Sequence, residues 1–418
     1  MSKKTINLGT VANDKTGTTL RTGGGYINDN FTELWRLKNT IYDTTAKVIS
    51  DENDQYAHES HMAVLNGTGK KFLLFIYQSN KTGGEADANG ISILKVFDLT
   101  TQTQLIAYDV FENGVGIFPA TGYRLAPKVQ VIGTTIRCFI GTDTGLYARD
   151  IEVVDDDTAN WTVGNTYIMQ MTMKNAAGED VLANVTPANI QIHLEYTLGD
   201  TYAGYVDLIP ILRNFDKPVS YGGNLYSLLE LNGEFTSTGF INTLIISADG
   251  GDTWAFTNLV RYTTAARTAL LESSLVLVGT SFYVISRTSS ASNTLSITAN
   301  AGSTWTTATL PMTTLATKPC AINYYNPAKA LGTIIAINET SEVTGNTGRT
   351  TLAIYSTTDF VTFTELARIV TPSYAHYPSL LHYSGCLFMS YTKGLKYNVD
   401  TSNPTGYDRN SVVLARIY

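Results

Sequence analysis

The sequence predicts an all-β protein built from six repeated sheet units, and three observations carry that expectation. The first is a turn. Ser247–Trp254 reads Ser-Ala-Asp-Gly-Gly-Asp-Thr-Trp. Asp249 can accept backbone N–H bonds from the residues after it, Gly250 and Gly251 allow the positive φ of a tight hairpin, and Trp254 has an apolar place to pack. Thr298–Trp305 repeats the pattern about 51 residues later, with Asn300, Gly302 and Trp305 in place of Asp249, Gly251 and Trp254, and a weaker copy runs over Ser356–Phe363. The second observation is a set of six strand starts, each followed by a turn and an apolar strand: Glu59, Ala126, Ile209, Glu272, Lys318 and Tyr377 open them. The third is composition: only 16 % of residues are charged and 34 are Gly, which suits many short strands joined by turns.

Repetition at this spacing predicts a β-propeller of six blades over residues 56–418. A four-stranded blade needs about 40 to 50 residues. The gap between the second and third starts is longer, so an insertion is expected over about 155–201, where Thr186-Pro187 could begin a short helix and extra hairpins are equally open. The last strand-like run, Ser411–Tyr418, is expected to pair with chain from the start of the propeller and so remove its free edge. Residues 42–55 are polar and read as a linker.

The first stretch differs from all that follows. Ile27, Leu34 and Ile41 fall seven apart with Phe31 and Leu37 beside them, which predicts a short amphipathic helix within a separate N-terminal unit, residues 1–41. Its apolar stripe needs a partner, either the propeller or identical helices of sister chains.

Charge and cysteine usage narrow the function classes. A net charge of −7 with scattered Lys and Arg gives no electrostatic footprint for nucleic acid or an anionic membrane surface. No run of about 18 apolar residues occurs, so neither membrane insertion nor a signal peptide is expected. Cys138, Cys320 and Cys386 have no neighbours at metal-ligand or redox spacing and read as buried thiols. His58, His61, His376 and His382 fall near the joined first and last units, but without supporting Asp or Cys spacing they predict no metal, and no cofactor is expected.

In a propeller the first strand of each blade lines the central channel, so Glu59, Arg124, Glu272, Lys318 and Tyr377 are expected to converge at one mouth. Tyrosine is abundant, 25 residues, which suits a carbohydrate-stacking surface and an all-β core alike.

Two resemblances add to this reading. The turns at Ser247–Trp254 and Thr298–Trp305 resemble the Asp-box of sialidase-like β-propellers. Glu272 followed fifteen residues later by Arg287, Arg349 in Gly-Arg-Thr-Thr-Leu, and Tyr377 in Tyr-Pro-Ser-Leu-Leu resemble the sialidase site. That resemblance implies a nucleophilic Tyr377, an exception to the two-carboxylate glycosidase rule. It implies that Glu272 draws the Tyr377 proton, that Asp87 serves as acid/base, and that Arg287 and Arg349 grip a sugar carboxylate. The chain departs from that family at its first blade. Where sialidases carry an arginine in a Phe/Tyr-Arg-Ile-Pro start, it has His58-Glu59-Ser60-His61, and Arg124, in Tyr-Arg-Leu-Ala-Pro, lies one blade later.

The second resemblance is N-terminal. Asn-Asp-Lys-Thr-Gly at 13–17, Leu20-Arg21 and Ile-Asn-Asp-Asn-Phe-Thr-Glu-Leu at 27–34 resemble the virion-attachment segment of tailed-bacteriophage tail fibres and appendages. It implies contact with other phage tail proteins through residues 6–41, a homotrimer, synthesis in the host cytoplasm and a final place in the virion. Together the readings are a structural tail appendage that displays a propeller for host-surface glycan recognition or, alternatively, an exo-sialidase-like glycoside hydrolase acting on such glycans.

Overall fold

In the computed structural model the chain is described over residues 40–42, 47–50, 56–80, 90–119, 124–142, 144–175, 177–185, 211–213, 216–232, 240–261, 270–288, 293–299, 304–312, 314–315, 317–326, 329–339, 349–371, 374–395 and 409–416. The expected N-terminal helix before residue 40, Asp87, Thr186-Pro187, Asn300 and Gly302 lie outside the described residues.

The architecture is all-β and six-bladed. Two short strands, β1 (Thr40–Tyr42) and β2 (Lys47–Val48), precede the first blade, so Ile41, the third member of the heptad spacing, stands on a strand, and the polar stretch 42–55 contains β2. Blade 1 comprises β3 (Tyr56–Asn66), β4 (Lys71–Asn80), β5 (Ile91–Asp98) and β6 (Gln104–Glu112). Blade 2 comprises β7 (Arg124–Ile132), β8 (Thr135–Thr142), β9 (Leu146–Glu152) and β10 (Thr162–Ile168). The insertion then contributes β11 (Gln170–Lys174) and β12 (Asp180–Leu182).

In blade 3 the inner strand is broken into β13 (Ile211–Arg213) and β14 (Val219–Tyr221), both paired with β15 (Asn224–Asn232), followed by β16 (Phe240–Ser247) and β17 (Thr253–Arg261). Blade 4 comprises β18 (Leu270–Val278), β19 (Ser281–Thr288), β20 (Thr294–Thr298) and β21 (Thr306–Thr309). Blade 5 comprises β22 (Cys320–Asn326), β23 (Lys329–Glu339), β24 (Thr351–Thr357) and β25 (Thr364–Val370). Blade 6 comprises β26 (Ala375–Tyr383), β27 (Cys386–Leu395) and β28 (Arg409–Arg416).

Blade 6 takes its outermost strand from the other end of the propeller. Lys47 and Val48 of β2 pair antiparallel with Leu414 and Val413 of β28, and the Ser50 hydroxyl accepts the Val412 N–H at 3.1 Å. Asn410 also bridges to Tyr56 of β3. Closure leaves the ring without a free edge between its first and last blades. Two other outer edges are covered by parallel strands: β1 runs along β25 and β11 along β17. Of the insertion expected over 155–201, β10 is the outer strand of blade 2, and β11 and β12 are extra strands that widen blade 3.

Six apolar clusters fill the six junctions between blades, and strand periodicity explains them. On β4, Phe72, Leu74 and Ile76 face Val129, Ile136 and Cys138 of blade 2, while Leu73, Phe75 and Tyr77 face the blade 6 side with Val412. On β23, Ile334 and Ala336 face blade 6, and Ile335 and Ile337 face blade 4. A second strand is thus apolar on both faces, which is why these segments read as continuous hydrophobic runs. The turn after β16 is built as its residues dictate. The Asp249 carboxylate accepts from the backbone N–H of Asp252 at 3.0 Å and of Thr253 at 2.9 Å, and Gly250 and Gly251 have φ of 77° and 101°. Trp254 is buried in the junction of blades 2 and 3.

The inner strands share one irregularity. Register slips between His58 and His61, Leu125 and Lys128, Leu271 and Ser274, and His376 and Ser379. The bulged residues Glu59, Ala126, Glu272 and Tyr377 sit in the left-handed region, with φ of 50°, 59°, 32° and 52°. Each such non-glycine residue costs about 1–3 kcal/mol. Near this end of the inner strands, a side chain of one blade accepts a backbone N–H of the next. His61 Nδ1 takes Val129 at 3.3 Å, Asp216 takes Leu275 at 2.7 Å, Ser274 takes Ala321 at 3.0 Å, and Cys320 Sγ takes Leu380 at 3.3 Å. Substituting Asp216→Ala leaves the buried Leu275 N–H unanswered and is expected to lower the unfolding free energy by about 1–3 kcal/mol in urea titration. A loss below about 0.5 kcal/mol, the range of ordinary surface substitutions, would refute the role given to this ring.

Candidate functional site

The bulges of blades 1, 4 and 6 each bring one polar residue to the same end of the inner strands. Glu59, Glu272 and Tyr377 occupy bulge positions of blades 1, 4 and 6, and Lys318 holds the matching place before β22 of blade 5. All four are buried. Arg124 begins β7, opposite Thr142, and its side chain lies outside the described residues.

Charge is paired off across this mouth. Arg287 stands on β19 across from Leu271, beside the blade 4 bulge, and its Nη1 meets Glu272 Oε2 at 2.8 Å. The Glu272 backbone N–H donates to Glu230 of blade 3 at 2.5 Å. Lys318 Nζ lies 3.6 Å from Glu59 Oε1 and 5.8 Å from the centre of the Tyr377 ring. Arg349, just before β24, approaches His376 Nδ1 at 3.5 Å, while its carbonyl accepts the Ala375 N–H at 2.7 Å. The His376 and Tyr377 rings are 4.4 Å apart. Arg287 and Lys318 are therefore paired with Glu272 and Glu59, whereas Arg349 contacts no carboxylate among the described residues.

Burial and these charges set the ionisation. His58 is pushed down to about 3, by burial first and then by Lys318. His61 is lowered by burial and by Lys128, Lys217 and Lys318, and His376 by burial, Arg349, His58 and Arg287. These imidazoles are neutral at pH 7, which leaves His61 Nδ1 free to accept the Val129 N–H. Burial opposes the charge of Lys318, but Glu59, Glu272, Asp216 and Glu230 outweigh it and raise the pKa. Arg287 follows the same pattern, with burial outweighed by Glu272, Tyr377 and Glu230.

Tyr377, Glu272, Arg287 and Arg349 are thus neighbours at one end of the channel. Sequence reasoning did not anticipate Glu230 or His376 as members of this cluster. Glu230 is a lone acid in an apolar run, and the signal for the histidines is that Tyr56-Ala57-His58 and Tyr374-Ala375-His376 repeat one another. His382 lies at the other end of β26, its ring centre 4.3 Å from that of Tyr324 and tilted by 52°. Cys138 is buried as expected, whereas Cys320 and Cys386 are only half-buried. Among the described residues no group of three or more His, Cys, Asp and Glu could hold a metal, and no helix is long and apolar enough to cross a membrane. A cavity of about 490 Å³ lies between the blade 6 and blade 1 hairpins around Phe97, Tyr383 and Phe388. It shares no residue with the mouth. Tyr383 and Tyr377 stand at opposite ends of β26, about 20 Å apart at strand rise.

Comparison with solved structures agrees with this fold. Trypanosoma rangeli sialidase in complex with sialic acid superposes with a TM-score of 0.57 at 12 % identity, over 90 % of this chain and 58 % of that one. The fold is the sialidase-like propeller. Hadza microbial sialidase Hz136 follows at TM-score 0.54 and 13 % identity, over 88 % of this chain and 66 % of that one. Phage phi92 endosialidase gives 0.54 at 9 % identity, over 89 % and 68 %. The chain spans less than three-fifths of the length of the T. rangeli sialidase. No protein-family model and no curated protein matches it.

The buried histidines of this sialidase-like propeller make a pH prediction. Their folded pKa lies below the ordinary value of 6.5. Between the two values the unfolded chain binds more protons, so stability is fully present above about pH 6.5 and is lost as pH falls toward the folded pKa. The urea midpoint is expected to drop steadily from pH 7 to pH 5, and His58→Gln to remove about 1.4 kcal/mol per pH unit of that slope. An unchanged slope in the variant would mean that His58 is solvated.

Proposed function

We propose that this protein is a structural component of a phage tail, a fibre or appendage, whose propeller recognises a host-surface glycan at the channel mouth without cleaving it. The observation that carries the glycan reading is the way the mouth is charged. Arg349 is held beside His376 with no carboxylate partner among the described residues, open to an acidic or polar sugar group, while Arg287 and Lys318 are bound to Glu272 and Glu59. Glu59 stands where sialidases carry an arginine, so a substrate carboxylate meets a carboxylate there. The tail reading rests on the N-terminal segment, and the shared fold of a phage endosialidase is consistent with it.

A hydrolase is the second reading, and one observation favours it: Tyr377 and Glu272 both occupy strained left-handed positions at the mouth, as catalytic groups often do. The two readings separate in one experiment on the full chain. Purified protein is assayed for binding to sialylated and neutral host glycans and for release of a fluorophore from a sialoside panel. Binding weakened at least about tenfold in Arg349→Ala, with no turnover, is the expected result. Turnover abolished by Tyr377→Phe would replace the binding reading with the hydrolase.

The tail reading is tested separately. Phage particles carrying the chain without residues 6–41 are expected to lack it, and the intact chain is expected to sediment as a homotrimer. Incorporation of the shortened chain would refute attachment through this segment.

A further inference from the structure

Below the mouth, on the axis, lies a second and smaller cavity of about 20 Å³, room for a single water-sized species. The residues just past the bulges line it: His61, Lys128, Asp216, Ser274, Cys320 and Ser379, one from each blade. Four of these carry the inter-blade hydrogen bonds described above. Lys128 and Ser379 do not. Lys128 has no acceptor to offer, and its ammonium enters no hydrogen bond or ion pair among the described residues although the side chain is buried, 6 % exposed. Ser379 is 4 % exposed and its hydroxyl is unpartnered.

Charge decides what these two groups can hold. Three ammonium groups, Lys128, Lys217 and Lys318, and two carboxylates, Glu59 and Asp216, line the cavity with a neutral His61. Within this lining one positive charge is left over, while Glu272 and Glu230 act on Lys318 from beyond it. A buried cation without a counter-ion is costly, and a water molecule would answer the Ser379 hydroxyl without cancelling that charge. The volume excludes sulfate, phosphate and a sugar carboxylate.

We infer that this cavity binds one small monovalent anion of chloride size, held by the Lys128 ammonium and the Ser379 hydroxyl, with Lys318 beside it. Bound there, the anion joins blades 2 and 6 at the two places where the ring of side-chain acceptors is interrupted. Burial, then Lys318, lower the Lys128 pKa to about 8 against the pull of Asp216, Glu59 and Cys320. With Lys217 and His61 the remaining groups around it, anion affinity is expected to weaken as pH rises through about 8.

The test uses the full chain at fixed ionic strength, with bromide replacing gluconate. Wild type is expected to gain about 2 °C in melting temperature at saturating bromide at pH 7, and Lys128→Met to gain nothing. Ser379→Ala, a smaller change, serves if Lys128→Met does not fold, and is expected to reduce the gain. Crystals soaked in bromide are expected to show an anomalous peak in the cavity within contact of Lys128 and Ser379. An equal bromide response in wild type and variants, or a water there with no anomalous signal, would overturn the inference.

Discussion

The bulge on the inner strands is the constraint from which both the joints and the site follow. A residue forced to positive φ interrupts the ladder to the second strand, and the backbone groups it frees must be answered from elsewhere. The neighbouring blade answers them. Thr392 of blade 6 accepts the Glu59 N–H at 3.3 Å, Glu230 of blade 3 accepts that of Glu272, and His61 and Ser274, just past the bulges of blades 1 and 4, accept an amide of the next blade. The residues that hold adjacent blades in register are therefore one or two positions from those that face the mouth. Strain at the site is offset by the contacts that close the ring, so a change in one is felt in the other.

Much of the fold was legible because it is written locally. Apolar runs such as Lys71–Tyr77 and Thr333–Ile337 are continuous since both faces of a second strand meet a neighbouring blade, and six of them give six junctions. The Ser247–Trp254 turn is legible for the same reason, since Asp249 acts within its own hairpin. What could not be read are strands whose partner is distant. Lys47–Val48 is polar and two residues long, and it becomes a strand only because β28 offers an unpaired edge. The same holds for Gln170–Lys174 beside β17. Their alternation carries little signal, and the edge they cover is set by the tertiary structure.

The site divides in the same way. Glu272 and Arg287 are related by a hairpin, so their separation in sequence fixes their proximity across β18 and β19. Arg349 and Tyr377 could be singled out by resemblance, and their side chains meet through His376. Lys128, Asp216 and Glu230 carried no such signal. Lys128 and Glu230 are single ionisable residues in largely apolar strands, Asp216 lies between β13 and β14, and what each does depends on which residue of another blade reaches it. Inter-blade chemistry is invisible in a single blade's pattern.

The charge pairing at the mouth also shows how far this chain stands from a sialidase site. Glu59 and Lys318 are both buried, on blades 1 and 5, and they neutralise one another across the channel at 3.6 Å. Removing one partner of such a pair leaves a buried charge uncompensated, at a cost of about 3–5 kcal/mol. Placing an arginine at position 59 would set a second cation against Lys318 and against the neutral His58, whose pKa is already held down by burial and by that same lysine. Restoring a three-arginine grip on a substrate carboxylate therefore requires changing Lys318 together with Glu59, and the bulge that carries Glu59 must survive both. The two positions lie on different blades and are coupled only through the axis. The fold preserves the geometry of the mouth, while the charges it holds are matched to each other as a set.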